Sequence, residues 1–594
     1  MDRTGIIVVS LCVVLLAFWF YHQDKQVKQW QEHQRQVALT NHTAAATSAA
    51  MPATPSAPAA PALFDTNVVE RTLAVTNQHV RYTFTSRGGG LKAVELLNYT
   101  NTVLRWKKKP NAGSNNVAVL NGGAPAPVLA VLGDTNLVGD GDFKLTPTDY
   151  GVRAEKPLPN GLHITKEFFF SSNYLVNASV RFENTTDKPI ALPEQELVVG
   201  TATPMESDDY GFLNYGGAMW YNGEDPQLCA LSYFNTNETT LWIFHRTVKH
   251  EYREGADNVV WAAAYNQYFA LLGMPRTNQA AHQVLAHPVP LQFPMENAAA
   301  APMGIQMSLV YPGQTLTANS NVERQIVFFA GPKEYRTLAQ VGDELANRAD
   351  LAMNFGTGFV SFWGIGTFFA KLLLAAMNSL HDFTRLGYGW VIVLLTVLLR
   401  VVFWPLTAAS MRSAKKMQAL SPQVNALREK YKDDPQKFTQ KQWELWKKNK
   451  VSPMSGCLPM LVQMPVFIGF FTMIRCAIEL RGAHFLWVAD LSKADTLFVL
   501  PGLNIPVNLL PLLMVGAMVW QSHLQPPSPG MDPAQQKMMK YMPLIFLLFL
   551  YGYSSGMALY MSVSTLLGIL QMQLMKRQAP PAVTDVAPPS KHKR

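Results

Sequence analysis

Residues 389–407 read GWVIVLLTVLLRVVFWPLT. The run approaches the roughly 20 apolar residues that cross a bilayer, and a single charge, Arg400, interrupts it. An arginine at that depth costs at least about 2.5–3.5 kcal/mol on insertion scales. Arg400 is therefore expected either to face a wet groove inside a helix bundle or to snorkel toward the nearer interface, about 9 Å away at 1.5 Å per residue. Thr396 lies one turn earlier on the same face. Gln463, Thr472 and the i,i+4 pair Tyr560/Ser564 sit in other apolar runs and are candidates to line the same groove. Met464, Phe467, Met514, Met518, Phe546 and Phe549 offer an adaptable apolar surface, although at helical spacing they read equally as core or lipid-facing residues. No apolar run carries an acidic partner for Arg400; the nearest candidate, Glu479, falls at the far end of its helix.

Four more apolar runs surround this one, at 456–474, 505–523, 541–553 and 557–575, and a further run at 358–380 is interrupted by Lys371. The chain of 594 residues is 48% hydrophobic and 15% charged, against about 25% charged in ordinary soluble proteins. Its mean hydropathy is only +0.03, so the apolar residues are concentrated in one part. Residues 1–350 hold 26 Lys+Arg against 31 Asp+Glu, whereas 351–594 hold 24 against 10. A basic apolar half implies Lys/Arg in cytoplasmic loops rather than a nucleic-acid surface.

Loop 408–455, with 11 Lys/Arg against 4 Asp/Glu, is the expected cytoplasmic anchor of the topology. Apolar residues 5–20 behind Arg3 read as an uncleaved anchor over 1–21. A cleaved signal peptide would need a small-x-small site that FWFYHQD (18–24) does not offer. With the N-terminus inside, one crossing at 388–406 returns the chain to the cytoplasm only if 358–380 lies in the outer interface as an amphipathic helix (355–382). Six spans then place the tail 579–594 inside. The basic loop reads as a helical hairpin, one helix over 409–431 and a second starting at Asp434-Pro435. Its surface is either a solvated topology signal or a docking face for the ribosome or targeting factors.

Residues 22–62 contain an Ala/Pro/Thr/Ser tract and are expected to be a flexible linker. Residues 63–350 change to short alternating runs such as VRYTFT (80–85) and LVNASVRF (175–182) separated by turn residues, an all-β pattern of sandwich size. Glu206, Asp208 and Asp209, the pair Glu224/Asp225, and the lysines at 107–109 read as solvated loop charges. Cys12, Cys229, Cys457 and Cys476 show no paired or metal spacing. With no nucleotide, metal or nucleophile motif, neither cofactor nor catalysis is expected.

GWVIVLLTVLLRVVFWPLT, the basic hairpin, SGCLPMLVQMPVFIGFF (455–471), MDPAQQKMMKYMPLIFLLF (531–549) and SSGMALY (554–560) together resemble the YidC/Oxa/Alb membrane-protein insertases. The anchor, the β block and TSRGGGLKAVELLNY (85–99) resemble the Gram-negative form. The resemblance implies a polytopic α-helical membrane core, 388–578, with a periplasmic β-supersandwich in the inner membrane. It implies nascent membrane-protein clients, the lipid bilayer and the Sec translocon with its accessory subunits as partners. Arg400, Thr396, Gln463, Tyr560 and Ser564 are then the client groove, and Phe467, Met464, Met514, Met518 and Phe549 the apolar slide. Met561 stands where the family has a second aromatic, and Ser452 where Asn is usual. The competing class is a secondary transporter using Arg400 for an anionic solute, which would usually show inverted repeats; none is visible here.

Overall fold

The structure, a computed structural model, describes residues 64, 68–103, 116–171, 174–205, 216–234, 249–276, 279–292, 303–356, 364–432, 434–449, 458–500, 505–524 and 533–576. The expected anchor, linker and basic tail lie outside these residues, as do Cys12, Cys457, Ser452, the lysines at 107–109 and the Glu206/Asp208/Asp209 cluster. The chain divides into two compact units, with the boundary at Asn354/Phe355.

The first unit is built from strands. Nine of them form one antiparallel sheet. In spatial order they are Pro226–Ala230, Gly217–Tyr221, Trp261–Tyr265, Phe269–Pro275, Asn321–Pro332, Leu175–Asn184, Leu162–Phe170, Gly151–Pro157 and Lys144–Thr148. A five-stranded sheet centred on Met303–Tyr311 and Gln195–Ala202 packs on its face. The two sheets approach closely at glycine: a Cβ on Gly273 would sit 3.0 Å from Val199, and one on Gly200 would sit 2.5 Å from Leu271. Thr72–Thr76, Val80–Thr85, Gly90–Thr100 and Val117–Leu120 make a third, four-stranded sheet. Burial alternates along Leu175–Asn184 as the period-2 pattern requires, and Trp261 is wholly enclosed, its indole donating to the Asn347 carbonyl at 3.0 Å. Cys229 is buried and free. The Glu224 and Asp225 amides both donate to the Asn222 side chain in an exposed turn.

Several buried strand positions are polar, and Lys166 is the most fully enclosed charged group among the described residues. Leu162–Phe170 places Leu162, Ile164, Lys166 and Phe168 on its buried face. The Lys166 ammonium donates to the Gly88 carbonyl at 2.6 Å and the Leu129 carbonyl at 2.8 Å, and lies 4.4 Å from the Phe143 ring centre. The three glycines at 88–90 let the backbone close over it. A Cβ on Gly89, at φ +55°, would meet Phe143 at 2.4 Å, and one on Gly90 would meet the Val128 carbonyl at 2.0 Å.

The second unit is helical. Its helices are α1 Ile365–Thr384, α2 Tyr388–Val402, α3 Trp404–Ala419, α4 Ser421–Lys430, α5 Pro435–Lys448, α6 Leu458–Cys476, α7 Leu509–Leu524, α8 Pro533–Leu550 and α9 Ser555–Lys576. Proline explains most departures from the expected boundaries. The run 388–406 is not one helix: Pro405 cannot donate to the Val401 carbonyl, so α2 stops at Val402 and α3 restarts at Trp404. The single helix expected over 409–431 is split at Leu420 by Ser421-Pro422. The run 505–523 opens as a strand, Ile505–Asn508, paired with Thr496–Leu500, where Pro506 and β-branched Val507 favour extended backbone. The run 541–553 belongs to a longer helix that begins at Pro533 and ends at Leu550. Asp434 caps α5 as expected, accepting from the Lys437 amide at 3.1 Å. Met417, Leu420, Val424 and Leu445 hold the hairpin's own small core.

Among the described residues, only α9 is long and apolar enough by itself to cross a membrane; α1 and α2 qualify only as a pair, and their axes bend by 115°. The apolar stretches of α6, α7 and α8 are shorter, and these lengths do not confirm the expected six spans. In α1 one face (Ala370, Leu373, Leu374, Met377) is buried while Phe368, Leu372 and Phe383 are exposed. Gly469 of α6 admits Phe369 of α1, whose Cβ lies 2.5 Å from where a glycine side chain would start.

Candidate functional site

α2 and α9 bring the membrane arginine to its partners. Arg400 lies in the last turn of α2, and its Nη2 donates to the Ser564 carbonyl at 2.5 Å and the Ser564 hydroxyl at 2.9 Å. Gln463 of α6 donates to the same hydroxyl at 3.1 Å. The guanidinium is turned inward, while its neighbours Leu398, Val401 and Val402 are exposed. Its Nε is buried and has no hydrogen-bond partner. The site thus holds a cation bonded, among the described residues, only to neutral groups, with its buried Nε donor unpaired. Such an orphan donor carries a desolvation cost of about 1–3 kcal/mol or more, since the group is charged.

Tyr560 is buried one turn before Ser564 and stacks on Phe470, with ring centres 4.0 Å apart and planes within 12°. Thr396 is buried, and its hydroxyl donates to the Ile392 carbonyl of its own helix at 2.6 Å. Of the five groove candidates, Arg400 and Gln463 are thus each bonded to a third, Ser564.

The five slide candidates do not share one surface. Met514 is fully enclosed and Met518 packs beside it, in a core that α7 forms with Leu550, Phe546 and Met561. Met464 and Phe549 are exposed, Phe549 by 78%, and Phe467 is half-buried against Phe471. Thr472 is fully buried in α6. Glu479 accepts from Asn378 at 2.8 Å, beyond the far end of α6.

Gly568 and Gln521 carried no signal of their own in the sequence. A Cβ on Gly568, one turn beyond Ser564, would lie 2.9 Å from the Gln521 amide nitrogen and 3.3 Å from Arg400 Nη2. The guanidinium and Gln521 therefore occupy a slot that exists because residue 568 has no side chain. Two turns along, Gln571 donates to Thr407 at 2.7 Å, with Gln571 fully buried. Arg400–Ser564 and Thr407–Gln571 share one register, each partner seven residues on, so α9 runs parallel to the α2–α3 path. Extending the Tyr560/Ser564 stripe by helical spacing would have found Gln571.

The slot makes a prediction. Gly568→Ala should be tolerated, because the Gln521 amide end can shift. Gly568→Val should push the guanidinium off Ser564 and reproduce most of the effect of removing Arg400, with the charge intact. Membrane insertion by the two variants at matched protein levels checks this; equal activity would show that the slot does not position Arg400.

Residues 72–374 match the family described as YidC periplasmic domain, and residues 379–582 match the family described as 60Kd inner membrane protein. The membrane protein insertase YidC of Burkholderia ambifaria (strain MC40-6) is 30% identical over 451 residues, covering 75% of this chain and 71% of the relative. This chain belongs to the YidC membrane-protein insertase family. The YidC of Paraburkholderia xenovorans (strain LB400) is likewise 30% identical, over 74% of this chain and 71% of its own. A crystal structure of an active YidC insertase with its first transmembrane domain resolved aligns with 86% of this chain and 93% of its own, at 18% identity and a TM-score of 0.33. YidC-family membership places the chain in the inner membrane with a periplasmic β domain.

Proposed function

We propose that this chain inserts nascent membrane proteins into the inner membrane and helps them fold, with the Arg400 site as the polar station on the client's path. The observation that carries the reading is that Arg400, only partly buried within an apolar bundle, is bonded to the neutral carbonyl and hydroxyl of Ser564 and, among the described residues, to no carboxylate. An acidic group on a client's outer segment supplies the acceptor that the protein itself withholds. Gln463 and Ser564 hold the other side of the guanidinium, so the charge is positioned before a client arrives. The work is binding and transfer, with no bond made or broken. As the client's apolar helix leaves toward lipid past Met464, Phe467 and Phe549, its own hydrophobic transfer drives the step.

The short helices favour a thin bundle. α7 has 16 residues, about 24 Å at 1.5 Å per residue, against about 30 Å of hydrocarbon. Thinning shortens the distance a polar segment travels. The parallel course of α2 and α9 supports the expected topology, in which both run from the periplasm to the cytoplasm and the termini lie inside. α1, apolar on two faces, lies in the outer interface. The basic surface of α3–α5 and the tail are docking faces for the ribosome or targeting factors, and cooperation with the Sec translocon belongs to the same reading.

Depletion of the protein, followed by protease protection of small single- and double-span clients, tests the proposal. The outer segments of these clients are expected to become protease-inaccessible before anionic-solute uptake changes. Normal insertion with collapsed uptake would replace this reading by a transporter.

A further inference from the structure

The antiparallel hairpin Thr496–Leu500/Ile505–Asn508 is apolar on both faces. Leu497, Phe498, Val499 and Leu500 are 45, 53, 46 and 38% exposed in sequence order, and neither strand carries an ionisable residue. An isolated two-stranded ribbon is marginal in water, and four consecutive exposed apolar side chains make it more so. We propose that this hairpin is an outer-leaflet lipid anchor, lying at the boundary of headgroups and acyl chains beside α7. The inference rests on the reading of α7 as a membrane span.

Continuity identifies the occupant. Ile505–Asn508 runs without a break into α7, where Leu512 and Leu513 are exposed by 43 and 49%, so the apolar strip passes from helix to hairpin. α7 alone is several ångströms short of the hydrocarbon thickness, and the hairpin continues its apolar surface beyond the helix.

Backbone chemistry sets the depth. The ribbon has two unpaired edges, and open edges are excluded from the hydrocarbon interior, where their N–H and C=O groups find no partner. The interface, where water still reaches those edges, accommodates both the edges and the side chains.

The base of the ribbon is fixed. Asn508 accepts from Thr496 at 2.7 Å and donates to the Tyr551 carbonyl at 2.7 Å, while the Tyr551 hydroxyl donates to the Pro506 carbonyl at 2.6 Å. Asp495 accepts the Leu510 amide at 2.7 Å and the Trp487 indole at 3.1 Å. Trp487 is itself 39% exposed, a residue type that favours the membrane–water interface. A rigid polar base with a tryptophan at its side would hold the apolar strands at one height.

The test places an environment-sensitive fluorescent amino acid at Phe498, or on the opposite strand at Val507, in the full chain. The chain is reconstituted into phosphatidylethanolamine/phosphatidylglycerol vesicles. The same label at Leu512 reports whether α7 is in lipid. Labels at 498 and 507 are expected to emit blue-shifted light and to be quenched more by bromolipids than by aqueous iodide, independently of protein density. Iodide quenching at 498 and 507 with bromolipid quenching at 512 would overturn the anchor and leave the span reading intact. Iodide quenching at 512 would remove the span reading and the anchor with it. Lipid shielding at 498 that vanishes on dilution in the bilayer would assign the face to a second copy and also overturn the proposal.

Discussion

Arg400→Ala is expected to reduce insertion of clients with acidic outer segments about tenfold or more, while clients with neutral outer segments are much less affected. The magnitude follows from the contact being lost: a hydrogen bond to a charged group is worth about 1.5–3 kcal/mol, or roughly ten- to a hundredfold. The alanine removes the bonds to Ser564 and the positive charge together, so two further variants separate them. Ser564→Ala deletes the hydroxyl that Arg400 and Gln463 share but keeps the carbonyl acceptor and the charge. Its effect should be several-fold smaller. Arg400→Lys keeps the charge but loses the planar guanidinium whose Nη2 reaches both Ser564 acceptors, and should fall between the two. Protease protection of matched acidic and neutral clients, at equal protein levels, reads all three. Equal loss for both client types would reduce Arg400 to a structural strut. No loss in stable protein would remove the arginine from the mechanism.

What could be read from residues alone followed from energetic cost. Arg400 stood out because a charge in an apolar run must be compensated, and Ser564 and Tyr560 followed from i,i+4 spacing along one helix face. Gly568 was silent because its contribution is an absence: glycines are frequent in membrane helices, and only the approach of Gln521 and Arg400 shows which one is needed as a slot. Thr396 shows what spacing leaves out: it places the residue on the Arg400 face, but a buried threonine on a helix also has its own i−4 carbonyl within reach, and the Thr396 hydroxyl donates to Ile392. Met514 shows that composition does not distinguish a methionine on an open surface from one enclosed between α7, α8 and α9.

Boundaries were legible only where proline or a cap marked them. Asp434 with Pro435 marks the start of α5, whereas at Pro405 and Pro422 the helical spacing of apolar residues carries on past the proline, so the pattern alone reads through the break. Residues 505–508 illustrate a limit of periodicity: a short apolar run beginning a longer one reads the same as strand or helix until its partner, Thr496–Leu500, is known. The β pattern of 63–350 was clear from alternation and turn residues, yet alternation could not show that buried positions such as 166 are filled by lysine.

Lys166→Ala is expected to destabilise the β unit by about 3–5 kcal/mol, combining a cavity with two orphaned carbonyls, those of Gly88 and Leu129. That is a large part of the 5–15 kcal/mol that typically holds a domain together. Lys166→Met fills most of the volume and leaves only the carbonyls unpaired, so it should cost less. Burial first, and then the neighbouring Lys156 charge, pull the Lys166 pKa well below the ordinary lysine value; the two carbonyls and the Phe143 face work against that shift. Because the folded pKa lies below the unfolded one, the unfolded chain binds more protons between the two. The penalty is therefore present in full below the folded pKa and disappears as pH rises toward the unfolded value. Wild-type β-sheet stability should accordingly gain on Lys166→Met with rising alkaline pH up to about 10.4, the unperturbed lysine value. Denaturant unfolding of the full chain in detergent, followed by the β-sheet circular dichroism of both proteins across that window, measures the difference. A gap that stays constant with pH would mean that the carbonyl pair and the Phe143 ring compensate the buried ammonium in full.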